Sequence, residues 1–589
     1  MKFATLGALL ALLQLPFSPA RPQDAGPAIE GVVVRAGTGE PLANAQVTLT
    51  RADASLTAAQ ARSRGSTSNT AQTVTDRSGR FSFNNIQPGS YRIAAARNGY
   101  AKQEYGQRLF GGLGRVLTVA SADARERITI SLTPAGTVTG VVRDSSGEPL
   151  VGLQVRLLRH VYSASGQRTF ITAGTGRTDD RGEYRVFWVT PGRYYLVAHP
   201  LASARAVAIL GEPGSPNEIL ETRVPPTYYP GSIHVSQALL LDVRPGAELS
   251  GIDVSISPQN LHRVSGSVVD PTSGQPPRTA SITIVPRGPA ATTAGLFATA
   301  SPYDPADGTF ELRDVAPGAY WVRATVTAAS PDSIVTANAA GRTLAELFTE
   351  SVMADRRVAQ VAADVTAADV DGLVLTIGAG ASIPGRLHVE GRTLAGLGDL
   401  GRLEVRLTPA TGGTASNWHR PINTDGAFRL ENVAAGEYFA TVQPLPSGYY
   451  VKDARLDQAD ALDQPLVISG PVSGTLNILL SPAAGRIEGT VVDGRGQSVP
   501  GVQAVLVPAH GLRWRLDLFR TATTDGAGRF LLSGIPPASY SLFSWEALES
   551  FAYFDEDVLR QSEGLGTALR TAESSTATVQ VTIIPAALP

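Results

Sequence analysis

The sequence predicts an all-β protein, a tandem array of about five small β-sandwiches with short helical insertions. Three observations predict it. One turn–strand–turn–strand cassette returns five times with constant internal spacing. Each cassette follows an apolar strand containing glycine, and a second strand of alternating apolar residues closes each unit. Gly (60) and Pro (40) are plentiful, as many short strands joined by tight turns require.

The cassette is clearest at residues 178–197. An aromatic follows its first glycine by two residues: Gly79/Phe81, Gly182/Tyr184, Gly308/Phe310, Gly426/Phe428 and Gly528/Phe530. An aliphatic follows that glycine by seven (Ile86, Val189, Val315, Val433, Ile535) and a tyrosine by twelve (Tyr91, Tyr194, Tyr320, Tyr438, Tyr540). Tyr184, Val186 and Trp188 fall on one face at period two. Pro191-Gly192 fits the centre of a type II turn, and Tyr194, Leu196 and Ala198 resume the alternation. Such spacing marks an internal repeat, and the recurring tyrosines read as core residues whose hydroxyls reach nearby backbone.

The units follow in order. Residues 1–20 read as a secretory signal: Lys2 precedes the apolar run 4–17, and Ser18-Pro19-Ala20 supplies small residues at a cleavage point after Ala20. Sandwich one spans 28–134, two 135–260, three 261–380, a degenerate four 381–481, and five 482–589. Opening strands are plain at 29–34, 138–144, from Gly266, and at 487–493, whereas unit four keeps Gly385 but lacks the Asp. Closing strands are expected at 128–132, 252–256, 373–377, 476–480 and 579–583. Short Pro/Gly joints such as 133–136 favour a semi-rigid rod. Insertions interrupt the pattern: a mobile loop over 55–73, a long connection over 201–224, a helix over 343–356, and a segment 546–569 with a helix near 555–561.

Composition excludes several chemistries. A net charge of −2 gives no reason to expect nucleic acid as partner. With no cysteine there are no disulfides, thiolate metal sites or Cys nucleophile. The cationic side chains are almost all Arg, with only Lys2, Lys102 and Lys452 as lysines, a pattern read as base composition. The apolar run 4–17 falls well short of the ~20 residues that span a bilayer, and no later stretch is long and apolar enough to do so. The seven histidines form no HExxH or HxxE, and there is no nucleophile elbow, Walker lysine or dinucleotide fingerprint. No catalytic residue, metal ligand or cofactor is assigned. Paired carboxylates brought together from distant segments stay open as a glycosidase arrangement.

Two features have competing readings. Asp76 and Asp525, with the acidic run 555–557, fit calcium or a turn and helix start that Asp nucleates through its own backbone. The aromatics after the cassette (Tyr100, Tyr105, Tyr228, Tyr229, Tyr449, Tyr450) fit either a plug over the end of the sandwich or exposed faces for a sugar ring or peptide, with the plug favoured.

The repeated elements resemble the carboxypeptidase regulatory-like domain family in its tandem, exported bacterial form. Gly140 to Asp144 and Gly489 to Asp493 carry Gly-x-Val-x-Asp, 147–150 reads Gly-Glu-Pro-Leu, and 75–81 and 524–530 read Thr-Asp-x-x-Gly-x-aromatic. Pro-Gly-x-Tyr stands at 88–91 and 317–320, while Ala435-Gly436 and Pro537-Ala538 depart from it. The resemblance implies transthyretin-like (prealbumin-like), carbohydrate-binding-like sandwiches and brings no shared catalytic motif. Two readings follow. In one, the chain is a non-catalytic secreted, periplasmic or cell-surface protein presenting loops to carbohydrate or a cell-surface protein. In the other, it is a hydrolase or enzyme accessory with a site in the insertions, best at 546–569.

Overall fold

The computed structural model describes residues 28–51, 70–108, 110, 112, 114–119, 125–163, 166, 168–200, 225–257, 260–271, 273–287, 300–326, 357–378, 380–397, 400, 403–410, 418–446 and 448–586. The expected signal at 1–20, the connection 201–224 and the helix over 343–356 lie outside these residues, as does most of the loop over 55–73. Thr70–Val74, the end of that loop region, is a strand.

The described residues form five pairs of sheets, each pair one sandwich. In the first, the opening strand Ala28–Arg35 lies between the antiparallel cassette strand Arg80–Phe83 and the parallel closing strand Arg125–Leu132. The facing sheet runs Thr70–Val74, Gln46–Arg51, Gly89–Ala96, with Gln103–Glu104 and Leu117–Val119 along its far edge. The other four repeat this plan, and in every one the opening and closing strands run parallel. Parallel first and last strands put a sandwich's two chain ends at opposite ends of its sheet. Sandwich four, degenerate in sequence, keeps the plan and adds a hairpin, Tyr450–Leu456 with Ala459–Asp460.

The opening-strand glycine is set by its neighbour across the sheet. Gly31, Gly140, Gly266, Gly385 and Gly489 each face the cassette aromatic: Phe81, Tyr184, Phe310, Phe428 and Phe530. At Gly385 and Gly489 a Cβ would overlap the ring itself. The aromatic thereby covers backbone that a side chain would otherwise shield.

Trp188 departs from its expected face. The cassette residue six past the glycine adopts left-handed backbone in every unit: Asn85, Trp188, Asp314, Asn432 and Gly534, at φ 57°, 58°, 59°, 57° and 70°. In sandwich two the pairing register slips between Val186 and Val189, which turns Trp188 out of the core face that Tyr184 and Val186 share. The type II turn at Pro191-Gly192 is also corrected. Gly192 has φ 155° rather than the roughly +80° of that turn and already begins the strand Gly192–His199. The chain bends at Pro191, while Trp188 lies inside the strand Glu183–Val189 at its register slip.

By contact density the chain forms two compact units. One is the first sandwich, through Arg97 with Lys102–Tyr105 and Gly114–Leu132; the other holds Asn98–Ala101, Gly106–Leu113 and Thr133 onward. Sandwiches two to five each have their own core. Two further cores lie on outer sheet faces. Leu158, Phe170, Val197 and Tyr228 form one in sandwich two. Val505, Val507, Phe519, Phe543, Trp545, Tyr553 and Leu559 form the other, under the insertion of sandwich five. Within the second unit, contacts are not confined to sequence neighbours. Arg168 of sandwich two pairs with Asp555 of sandwich five, so a rod of strictly consecutive contacts does not describe that unit.

Candidate binding surface

The cassette turn is built by three side chains in series. Asp76 Oδ1 accepts the backbone N–H groups of Ser78 and Arg80 at 2.9 and 2.8 Å. Asp179 and Asp525 repeat the pattern with Arg181 and Glu183, and with Ala527 and Arg529. The N–H of Arg80 holds the Asp76 carboxyl below its ordinary pKa, as the N–H of Arg529 does for Asp525. The preceding threonine latches the other end. The Thr75 hydroxyl donates to the Leu42 carbonyl (2.7 Å) and accepts from Ala45 N–H (2.9 Å), and Thr524 bonds Val499 and Val502 alike. These aspartates serve the turn, as Asx-type bonding predicts. Among the described residues no group of three acidic or histidine side chains could hold a metal ion.

The five tyrosines are the third component. Tyr91, Tyr320, Tyr438 and Tyr540 donate to the carbonyls of Gln87, Ala316, Ala434 and Pro536 at 2.6, 2.9, 3.1 and 3.0 Å, and Tyr194 donates to Thr190. The ring thus folds back over the residue two before it. At Gly192, Gly318 and Gly436 that residue is a glycine in contact with the tyrosine. Four of the five are buried and Tyr320 is half-buried.

The loop aromatics divide. Tyr228 (3% exposed), Tyr449 (9%) and Tyr450 (4%) are interior, which removes the free ring face a stacking role needs. Tyr228 belongs to the outer core of sandwich two, and Tyr449 to the main core of sandwich four. The Tyr450 hydroxyl donates to Glu573 of sandwich five at 2.9 Å. Glu573 and Glu390 both pair with Lys452, and Glu390 holds the lysine pKa above its ordinary value. Tyr100, Tyr105 and Tyr229 are half-buried.

The insertion of sandwich five contains the expected helix, at Glu556–Ser562, capped by Asp555. Its acids are engaged. Arg168 Nε and Nη2 reach the two Asp555 oxygens at 2.7 and 3.1 Å, and Nη2 reaches Asp557 at 3.1 Å. Burial pushes the Asp555 carboxyl up, but Arg168 and the Asp557 N–H outweigh it and hold the pKa low. Arg513 bonds Glu556 and Glu563 at 2.7 and 3.2 Å. Gly166 of sandwich two packs against Phe554.

Two surfaces stand out among the described residues. A groove of about 740 Å³ on the first sandwich is lined by Glu30, Val32, Val74, Asp76, Arg80 and Arg127, and Asp76 there is already committed to its turn. The second surface is Phe187 and Trp188, 53% and 52% exposed, their rings 5.0 Å apart and at 87°. Period-two reading missed this pair because it continues the alternation through the bulge. The signal available in the sequence was Asn, Asp, Asn and Gly at the equivalent position of the other four units.

Among solved structures, the minor pilin of Streptococcus agalactiae is similar at 12% identity, with 39% of this chain and 95% of that one covered and a TM-score of 0.22. The major pilin subunit of Bacillus cereus gives 9%, 60%, 99% and 0.14. Hydroxyquinol 1,2-dioxygenase of Pseudomonas putida gives 11%, 19%, 57% and 0.13. At these scores the likeness carries no argument about this chain. No curated protein matches it. One family model does, the carboxypeptidase regulatory-like domain, over residues 28–133, the span of the first sandwich in which the Gly-aromatic pairing and the Thr-Asp turn are formed.

Proposed function

We propose that this chain is an exported, non-catalytic, multi-domain binding or scaffold protein, whose sandwiches present loops to carbohydrate or a cell-surface protein. The observation that carries this reading is the use of its charged groups. Four acids of the 546–569 insertion, the best place for a hydrolytic site, are held by two arginines: Asp555 and Asp557 by Arg168, Glu556 and Glu563 by Arg513. The turn aspartates are held by their own backbone. Among the described residues no helix is long and apolar enough to cross a membrane. The leader 1–20 supports export, with the mature chain starting at Arg21. The sandwich boundaries 28–134, 135–260, 261–380, 381–481 and 482–589 belong to the same reading. Tyr100, Tyr105 and Tyr229 are secondary contributors to a loop surface.

The test is sedimentation of the mature chain with purified cell-wall sacculi and insoluble polysaccharides, with sugar and peptide release assayed in the same tubes. Co-sedimentation without release is expected. Turnover of any of these polymers would replace the reading with a hydrolase.

A further inference from the structure

We propose that Phe187 and Trp188, at the bulge of the second sandwich, form a stacking site for the sugar ring of a neutral, β-linked glucan; this names a ligand class and a site for the binding role proposed above. The backbone argues first. Position 188 requires left-handed φ, and the other units meet that need with Asn85, Asp314, Asn432 and Gly534, residues suited to it. Tryptophan is poorly suited to that conformation, and here it also leaves 52% of its surface in water. It gives the core nothing in exchange, since its neighbours Val186 and Val189 fill that space. A residue unfavourable for the fold in two respects points to use outside the fold.

The size of the patch selects the occupant. Two aromatics about half exposed offer on the order of 100 Å² each. A stable protein partner needs about 800 Å² per side, so the patch falls well short of an interface core. It matches a ring-sized ligand. Below it on the strand, Glu183 and Arg185 are exposed and alternate with buried Tyr184 and Val186, so they share the outer face with Phe187. Thr139 lies across from Arg185 in the sheet. Apolar faces beside both donors and acceptors suit a β-linked glucose unit, whose axial C–H bonds make flat apolar faces and whose hydroxyls lie round its edge. The exposed charges of that sheet face are mixed in sign, Glu183 and Glu248 with Arg185 and Arg143, so the surface favours neither a polyanion nor a polycation.

The test is affinity electrophoresis of the full chain through gels containing laminarin or hydroxyethylcellulose, beside Trp188→Asn and Phe187→Ala. Wild type should be retarded by at least one glucan, and the retardation should survive added salt. Trp188→Asn should weaken it about tenfold or more, a loss of about 1.4 kcal/mol or greater. Its melting temperature should stay the same or rise, because asparagine accepts the left-handed backbone. Three results overturn the inference. If neither glucan retards wild type, the site is wrong, while sacculus co-sedimentation still judges the binding role separately. If Trp188→Asn is retarded as wild type is, glucan binding stands but lies elsewhere. If wild type self-associates in sedimentation velocity and Trp188→Asn abolishes that without changing retardation, the rings serve a second copy of the chain.

Discussion

The hydroxyl of Tyr194 closes the loop between its own strand and the Thr190 carbonyl, while its ring is 1% exposed in the core of sandwich two. The two contributions separate by mutation. Tyr194→Phe removes the hydrogen bond alone and should cost about 1 kcal/mol, with the buried carbonyl's lost partner setting the upper end. Tyr194→Ala also removes the ring and should cost about 3–5 kcal/mol. Urea unfolding monitored in sandwich two measures both; equal losses would mean that the ring contributes nothing beyond its hydroxyl. His199 gives a pH-dependent test in the same unit. Burial, partly offset by the Pro200 carbonyl and reinforced by Arg156, pushes its pKa down to about 4. Unfolded, the imidazole titrates near 6.5. Between those values the unfolded chain binds the extra proton, so stability present above pH ~6.5 is lost as pH falls toward ~4, by about 3 kcal/mol. His199→Gln should flatten that part of the stability curve. A variant curve parallel to wild type would remove His199 as its source.

The paired glycine and aromatic of each unit make the element scale testable. Gly385 is hemmed in by the Phe428 ring, whereas Gly266 faces the backbone carbonyl of Leu373. Alanine at either position should cost about 1–3 kcal/mol by overpacking. Phe428→Leu should recover much of the loss at Gly385, because a ring can be replaced. Phe310→Leu should recover little at Gly266, because the carbonyl belongs to the parallel closing strand. Thermal melts of the two single–double series decide it, and equal rescue would mean that the ring sets both sites. This scale also shows what sequence conveys. Strands and turns were legible because period-two alternation and Asp/Gly spacing are local. The parallel pairing of opening with closing strand was not, since alternation carries no strand direction. Trp188 hid the left-handed position that Asn85, Asp314, Asn432 and Gly534 marked. The interior places of Tyr228, Tyr449 and Tyr450 depended on what covers them, including Glu573, which lies 123 residues from Tyr450. The Thr75 and Thr524 latches were visible as a motif, but their partners at Leu42 and Val499 were not.

Contacts between sandwiches tie the larger compact unit together through few groups. Arg515 (8% exposed side chain) bonds Asp463 of sandwich four at 2.8 Å as well as its neighbour Asp517, and Trp514 stacks on Phe439 with ring centres 4.1 Å apart. Sandwich five nonetheless has a core of its own. Residues 482–589 expressed alone should therefore melt cooperatively as a β protein, at a lower temperature than the same sandwich in the full chain. A disordered fragment by circular dichroism would make the units interdependent. The contact between sandwiches two and five permits a sharper test. Arg168 meets Asp555 as a fork, and the Asp555 side chain is only 11% exposed, so the pair is shielded more than an ordinary surface bridge. Asp555 also caps the helix Glu556–Ser562 by accepting from Asp557 and Val558. Asp555→Asn preserves an acceptor for the cap while deleting the charge. Arg168→Gln deletes the other partner. A double-mutant cycle on these two should give a coupling of about 1 kcal/mol, larger at low salt. In either single variant, hydrogen exchange should speed up over 549–563 and in the paired strand residues 158–162 and 168–170 together, since both sides of the contact loosen at once. Faster exchange confined to the helix would mean that the charge serves the cap alone and that sandwiches two and five are held by the Gly166–Phe554 contact instead.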